Sequence, residues 1–402
     1  MEALTKKEKK ELPITREELS AELDSILSYW LRQVVDPETG NLFGSVNFQD
    51  TPDPSAPRGI VMYSRVLWAF SAAYGFTRKP EYKVMAELAL KGITRDFLDS
   101  EWGGVYWSVG RTGNVLDGKK QVYGLAFCVY GLSEYYRISH DPTVLKLAIE
   151  LYRLIEKHGF DREKNGYIEA FTRQWEEIGD LRLSEKDQNE RKTMNTHLHI
   201  VEAYANLYSV WPDAALKERV QNLLALFDRH FVDPVTGHLH LFFSDDWESK
   251  AKLISYGHDI EAAWLLPYCA TAIGDKGWED HFNQLAVRIT DAAARGLDED
   301  GGLWYEFDPE TQQLVMEKHS WPQAEALLGF YHAYKQSGTG KYLFNMRQTW
   351  QFIQDFIKDK KAGEWYWGVM LDHTIMKKDK AGFWKCPYHN TRAMLELLKE
   401  YH

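Results

Sequence analysis

"DPVTGHLHLFF", residues 233–243, runs from Asp through polar residues to Gly and then into alternating apolar positions. The same grammar recurs in "DPETGNLFGSV" from Asp36, "DSEWGGVYWSV" from Asp99, "DREKNGYIEAF" from Asp161, "DEDGGLWYEF" from Asp298 and "DKKAGEWYWGV" from Asp359. The markers lie 63, 62, 72, 65 and 61 residues apart. Asp and Gly are turn formers, and the short alternation after each fits a small strand or hairpin arm. Self-similarity of this period means one supersecondary unit used repeatedly.

Between the markers the pattern turns helical. Before each marker lies a run wet on one side, such as "EELSAELDSILSYWLRQVV" or "LKERVQNLLALFDRHFV". After each comes a second run richer in apolar and small residues, among them "YGLAFCVYGLSEYY", "LHIVEAYANLYSVW" and "DIEAAWLLPYCATAI". Six outer and six inner helices in alternation predict an all-α (α/α)6 barrel, a toroid with short β-hairpins at one rim. An open solenoid of the same units carries the same pattern. With no long Pro/Gly/Ser linker, residues 1–402 read as a single domain, residues 1–15 being a polar N-terminal extension. The longest interruption, a charged insertion over residues 172–194, sits in the third unit; loops of this length are frequently functional.

Composition narrows the partners. A net charge of -11 argues against nucleic acid, which calls for clustered Lys and Arg. No signal-peptide h-region and no run of 18 apolar residues is found, so neither export nor a membrane span is expected and the reading is cytoplasmic. Three scattered cysteines fit reduced thiols rather than a disulfide framework or zinc cluster. The aromatic share of 14% offers rings that fill a core or stack on sugar faces. No GxxxxGK[ST], GxGxxG or GxSxG motif supports nucleotide, dinucleotide or serine-hydrolase chemistry.

In a toroid the inner helices begin around a common cavity. Their predicted starts carry Arg65 with Tyr63, then Tyr123, Asn195 with His197 and His199, His258 with Asp259 and Glu261, Trp321 with Glu325, and Trp384 with Tyr388 and His389. Helix starts ordinarily favour Ser, Thr, Asp and Asn. Imidazoles exchange protons near neutral pH, carboxylates orient them and Arg polarises oxygens, so this set points to proton transfer. A lone His at a helix start is more often structural, but three of six repeats place one alike: His199, His258 and His389. His197 divides evenly between buttress and site. Glu261, three residues after His258, is placed to orient that imidazole, and Arg65 in an apolar helix is expected beside a buried carboxylate or a substrate oxygen. The His199/Glu202 and His258/Glu261 spacings lack an HExxH or Cys-rich ligand set, so no metal is expected.

At "MNTHLHIVEAYANLY", "SYGHDIEAAWLL", "HSWPQAEALLGF" and "GFWKCPYHNTRAMLEL" the chain resembles the N-acylglucosamine 2-epimerase superfamily over nearly its whole length, and "GHDIEAAWLL" with "FWKCPYHN" resembles its cellobiose-acting branch. The resemblance implies an (α/α)6 barrel, no required metal or nicotinamide cofactor, and reversible inversion at C2 of the reducing-end glucose of β-1,4-linked disaccharides: cellobiose to glucosyl-mannose, lactose to epilactose. It implies His258 and His389 as the acid/base pair and His199 near the anomeric oxygen. Arg65, Tyr123, Asn195, Glu261, Trp321 and Glu325 would hold the reducing-end sugar, and Asp187 and Trp384 would reach the second. No motif position departs from the pattern; Cys386 is a minor variation. The partner would be a small disaccharide and the protein a monomer.

Three other readings use the same residues. An aldose–ketose isomerase acting on mannose-type sugars would deliver the proton to C1. A glycosidase would need two carboxylates flanking a bond and would leave the rim histidines without a role. A non-catalytic sugar- or protein-binding toroid would tolerate their loss.

Overall fold

The computed structural model describes residues 12–401. Residues 1–11 of the expected extension lie outside these, and Thr15 already caps the first helix in a capping box with Glu18. Outer helices are α1 (Arg16–Gln33), α3 (Pro80–Gly92), α5 (Pro142–Leu154), α7 (Ala214–Leu226), α9 (Lys276–Ala293) and α11 (Gly340–Phe352). Inner helices are α2 (Ile60–Thr77), α4 (Val122–Ser139), α6 (Met194–Val210), α8 (Tyr256–Ala272), α10 (Ser320–Ser337) and α12 (His389–Lys399). Each inner helix packs on the next, and α12 packs back on α2, so the ring closes. The outer helices bury one stripe, as α3 does with Tyr82, Met85, Ala86 and Ala89; α4 buries every residue from Val122 to Ser133. That difference is what a two-layer toroid demands of its two kinds of helix.

The six markers form one repeated turn. Residues flanking each are bridged: Val35 with Leu42, Leu98 with Val105, Phe160 with Tyr167, Val232 with Leu239, Leu297 with Leu303, and Lys358 with Trp365. The fourth position after the Asp is left-handed at Gly40, Gly103, Gly237 and Gly363, with φ between 68° and 87°. The third unit puts Asn165 there, at φ 63°, the residue that tolerates this region best after Gly. Four outer helices end in a π-helical turn just before the marker, at Ile93–Phe97, Ile155–Gly159, Phe227–Phe231 and Ile353–Ile357, a widening that helix periodicity does not announce.

Short antiparallel strands lace the rim. Arg58–Gly59 pairs with Ser108–Val109, Lys120–Gln121 with Ala170–Phe171, Lys192–Thr193 with Phe242–Phe243, Ile254–Ser255 with Glu306–Asp308, and Glu317–His319 with Gly368–Met370. Ala381–Gly382 pairs with Ser45–Val46, joining the last unit to the first. Buried cations in these strands pin the turns: Lys120 Nζ lies 2.8 Å from Asp99, Lys192 2.9 Å from Asp161, Lys318 2.6 Å from Asp298 and Lys380 2.7 Å from Asp359. All four lysines are fully buried, and the pairs lock the starts of α4, α6, α10 and α12 to their own turns, with Asp300 and Asp50 as second partners of Lys318 and Lys380. Among the described residues no helix is long and apolar enough to cross a membrane.

Candidate active site

The outer helices α5, α7 and α9 start on capping aspartates, Asp141, Asp213 and Asp275. Of the inner helices, only α6 has a side-chain cap, from Thr193. The inner starts are given over to other side chains, which surround a cavity of about 510 Å³. Arg65 on α2, Tyr123 on α4, Asn195 and His199 on α6, His258 and Glu261 on α8, Trp321 on α10 and His389 on α12 all line it. So do Trp384, just ahead of α12, and Asp187 in the charged insertion. Glu325 is not among the lining residues: fully buried, it is held by His389, Arg392 and Trp264.

Arg65 is 4% exposed, yet no carboxylate among the described residues bonds to it. Its Nη2 donates to Tyr123 Oη at 2.7 Å, and the guanidinium lies 4.3 Å from the Phe127 ring and 5.0 Å from Tyr388. Arg65 Nε, Asn195 Oδ1 and Trp367 Nε1, all from cavity-lining residues, are buried without a partner among the described residues. Buried polar groups are ordinarily satisfied, so three orphans around one cavity mark where a polar ligand belongs. Of the two partners expected beside Arg65, a bonded carboxylate is not found among the described residues.

His258 Nδ1 is 2.8 Å from Ser255 Oγ, one helical turn back. Glu261 does not orient it, as the spacing predicts; that carboxylate turns to the barrel axis and accepts from Arg392 Nη2 at 2.7 Å. His389 Nδ1 is 2.6 Å from Glu325 Oε1, and His199 Nδ1 is 3.0 Å from Glu202 Oε2. Each imidazole thus has Nδ1 engaged, leaving Nε2 for other work. Both His258 and His389 pack on Trp321, with ring centroids 4.9 and 5.4 Å away.

Beneath them lies a floor of three carboxylates around one guanidinium. Arg392 reaches Glu202, Glu261 and Glu325, and Tyr388 Oη donates to Glu202 at 2.6 Å. Burial raises the Glu202 carboxyl, but Arg392 and His199 outweigh it and hold the group down at about 2. Glu261 goes the other way, pushed up by burial and by Glu325. Burial, then His199, lowers His258 to about 3; burial, then Arg65 and Arg392, holds His389 well below the ordinary imidazole range. Glu261, Glu325 and His389 bring donor atoms within 4.8 Å of one another, a grouping that could hold a metal ion. Arg392 already stands between the two carboxylates at 2.7 Å from each, so the cation of this cluster is a guanidinium.

His197 resolves as a buttress. Its Nε2 accepts from Tyr167 N at 2.9 Å, its Nδ1 donates to Thr193 O at 2.6 Å, and it is fully buried. Tyr63 and Asp259 are likewise structural, holding Leu42 N and Leu239 N. Above the floor, Trp384 joins Trp107 and Tyr123 in an aromatic wall at 5.8 and 5.9 Å. The insertion reaches across the mouth from the third unit to the fifth: Asp187 is anchored by Ser184 at 2.9 Å, and Lys186 Nζ lies 5.8 Å from the Tyr305 ring. Cys386 lines the cavity as a buried thiol, its pKa pushed up by burial to about 11.

Sequence reasoning missed Arg392, Tyr388 as a hydrogen-bond donor, Ser255, Trp367 and Glu306, whose carboxyl burial raises to about 7. Arg392 follows His389 by three, a same-face spacing that pointed at the cavity axis.

The N-acylglucosamine 2-epimerase (GlcNAc 2-epimerase) family model matches residues 42–393. A cellobiose 2-epimerase of Bacteroides fragilis is 46% identical over 96% of this chain and 99% of its own length. One from Dictyoglomus turgidum is 36% identical over 97% and 99%. The solved cellobiose 2-epimerase of Bacillus thermoamylovorans superposes with a TM-score of 0.90 at 39% identity, covering 96% of this chain and 99% of that one. With its closed barrel and its ring of imidazoles, the chain belongs to the N-acylglucosamine 2-epimerase family.

Proposed function

We propose that this protein inverts C2 of the reducing-end glucose in β-1,4-linked disaccharides, turning cellobiose into glucosyl-mannose and lactose into epilactose through a cis-enediolate. The observation that carries the reading is the pair His258 and His389: two imidazoles from different helices, each with Nδ1 engaged, both against Trp321 in one cavity and both disfavoured as cations by burial. A neutral imidazole held by a neighbour through one nitrogen is a general base at the other. The high-coverage relatives named cellobiose 2-epimerases support the substrate class.

In this reading C2–H becomes acidic only after the sugar ring opens to the aldehyde. His199 assists at the anomeric oxygen, and the unused donors of Arg65 meet the enediolate oxygen, as a preorganised oxyanion site does. One imidazole removes the C2 proton and the other supplies one to the opposite face. No net oxidation occurs, so no nicotinamide is called for. Tyr123, Asn195, Glu261 and Trp321 surround the reacting sugar, while Asp187 and Trp384 sit towards the second. The proposal includes a cytoplasmic monomer with no nucleic-acid or membrane partner.

Cellobiose incubated with the enzyme in D2O and followed by NMR tests this. The expected result is a mannose-configured reducing end carrying deuterium at C2, abolished in His258→Ala and His389→Ala with the fold retained. A ketose product would make the enzyme an isomerase, free glucose a hydrolase, and wild-type turnover in either variant would remove that histidine from the chemistry.

A further inference from the structure

An epimerisation with two bases needs one of them to bring a proton in. That is a difficulty for His389, because an imidazolium there would sit in a site 13% exposed and face the guanidinium groups of Arg65 and Arg392. A neutral imidazole can still donate if a proton reaches its second nitrogen as one leaves the first.

We propose, resting on the epimerase reading above, that Glu325 supplies that proton: its carboxyl passes a proton to His389 Nδ1 as the Nε2 proton leaves for C2. The geometry is in place, with Glu325 Oε1 at 2.6 Å from Nδ1 and Glu325 fully buried. Charge counting says the proton is available. Glu202, Glu261 and Glu325 share the single cation Arg392, and three ionised carboxylates would leave two uncompensated charges in a buried site. Glu202 is the one committed to the charged state, since Arg392, His199 and Tyr388 all hold it so. The missing charge therefore falls on Glu261 and Glu325, both raised by burial, which hold a proton between them.

The step balances. The Nε2–H bond breaks and a C2–H bond forms with the electron pair of the enediolate, whose C1 oxygen returns to an aldehyde. The Glu325 O–H bond breaks and Nδ1–H forms, so the negative charge of the enediolate is replaced by that of the Glu325 carboxylate. Arg392 Nη2 at 2.7 Å from Oε1 and Trp264 Nε1 at 2.9 Å from Oε2 are already aimed at the oxygens that receive it. In reverse, His389 Nε2 takes the C2 proton while Nδ1–H returns to Glu325. Among the described residues His258 has no such partner: its Nδ1 meets the Ser255 hydroxyl. The two bases are therefore unlike, one a relay and the other a simple imidazole.

Glu325→Gln keeps the size of the side chain but has no acidic proton to pass on. In D2O the expected result is a loss of epimer formation of about 100-fold, the size of a general-acid contribution. Exchange of deuterium into C2 of recovered substrate through His258 persists, so the ratio of exchange to epimerisation rises about tenfold or more in the direction where His389 donates. Glu325→Asp, which keeps an acidic proton, restores part of the coupled turnover. Epimerisation by Glu325→Gln within threefold of wild type overturns the relay. So does equal loss of exchange and epimerisation in the Gln and Asp variants, which marks a merely structural carboxylate. If the wild-type enzyme neither exchanges nor epimerises, the function itself is wrong, an outcome distinct from a wild type that turns over while the variant ratio stays unmoved.

Discussion

Arg65→Met separates what a buried arginine does for the reaction from what it does for the fold. The side chain is nearly enclosed, makes one hydrogen bond to Tyr123 and stacks over Phe127 and Tyr388, but has no carboxylate partner among the described residues. Burying such a cation costs several kcal/mol in desolvation. Ring contacts return about 0.5–2 kcal/mol each, and the hydrogen bond about 1.5 kcal/mol. These terms nearly cancel, and Met fills the same space without stranding a charge. Denaturant unfolding of Arg65→Met is therefore expected within about 2 kcal/mol of wild type, on either side. The contrast is Arg392→Met, which strands Glu202, Glu261 and Glu325 and should cost about 3–5 kcal/mol. Turnover of cellobiose by Arg65→Met should fall by about 10²–10³, the loss seen when an oxyanion donor is removed. Destabilisation by Arg65→Met as large as that of Arg392→Met, or a kcat within threefold of wild type, would refute the reasoning.

Gly257→Ala would place a Cβ 2.5 Å from Trp321 Cη2 and 2.9 Å from Pro322 Cγ, displacing the ring against which both catalytic candidates pack; kcat should drop at least tenfold with a near-native circular dichroism spectrum. His258, held at about 3 against an ordinary 6.5, links pH to stability. As pH falls from 6.5 towards 3, the unfolded chain binds a proton that the native ring refuses, so stability is lost at about 1.4 kcal/mol per pH unit for this one group. His258→Gln should flatten the wild-type slope by that amount between pH 6 and 4, and an unchanged slope would contradict the buried neutral ring. For the same reason the acid limb of kcat/KM should fall below pH 6.5, since both bases stay neutral there.

The barrel was legible because its turns are chemically stereotyped. An Asp whose carboxylate takes the next backbone N–H groups, and a left-handed residue four positions on, can be read without knowing what packs where. The same holds for the histidines, since equivalent positions in a repeat meet around a common axis. Pairings across the ring were not legible. Glu261 looked like the partner of His258 because i and i+3 share a helix face, but the inner helices lean their carboxylates to a common centre where Arg392 collects them. Glu325, expected to hold the reducing-end sugar, is fully buried and leans to the same Arg392. The buried lysines of the rim strands were invisible because each answers an Asp some twenty or more residues earlier.

Ring closure carries a consequence for how the protein is made. His389 and Arg392 stand on the last inner helix in chain order, and that helix finds its place only by docking between α10 and α2, with Ala381–Gly382 zipped onto Ser45–Val46. A chain emerging N-terminal first has His199 and His258 long before it has their counterpart. In the mechanism proposed above, the event that shuts the ring is the same event that brings the second imidazole into the cavity.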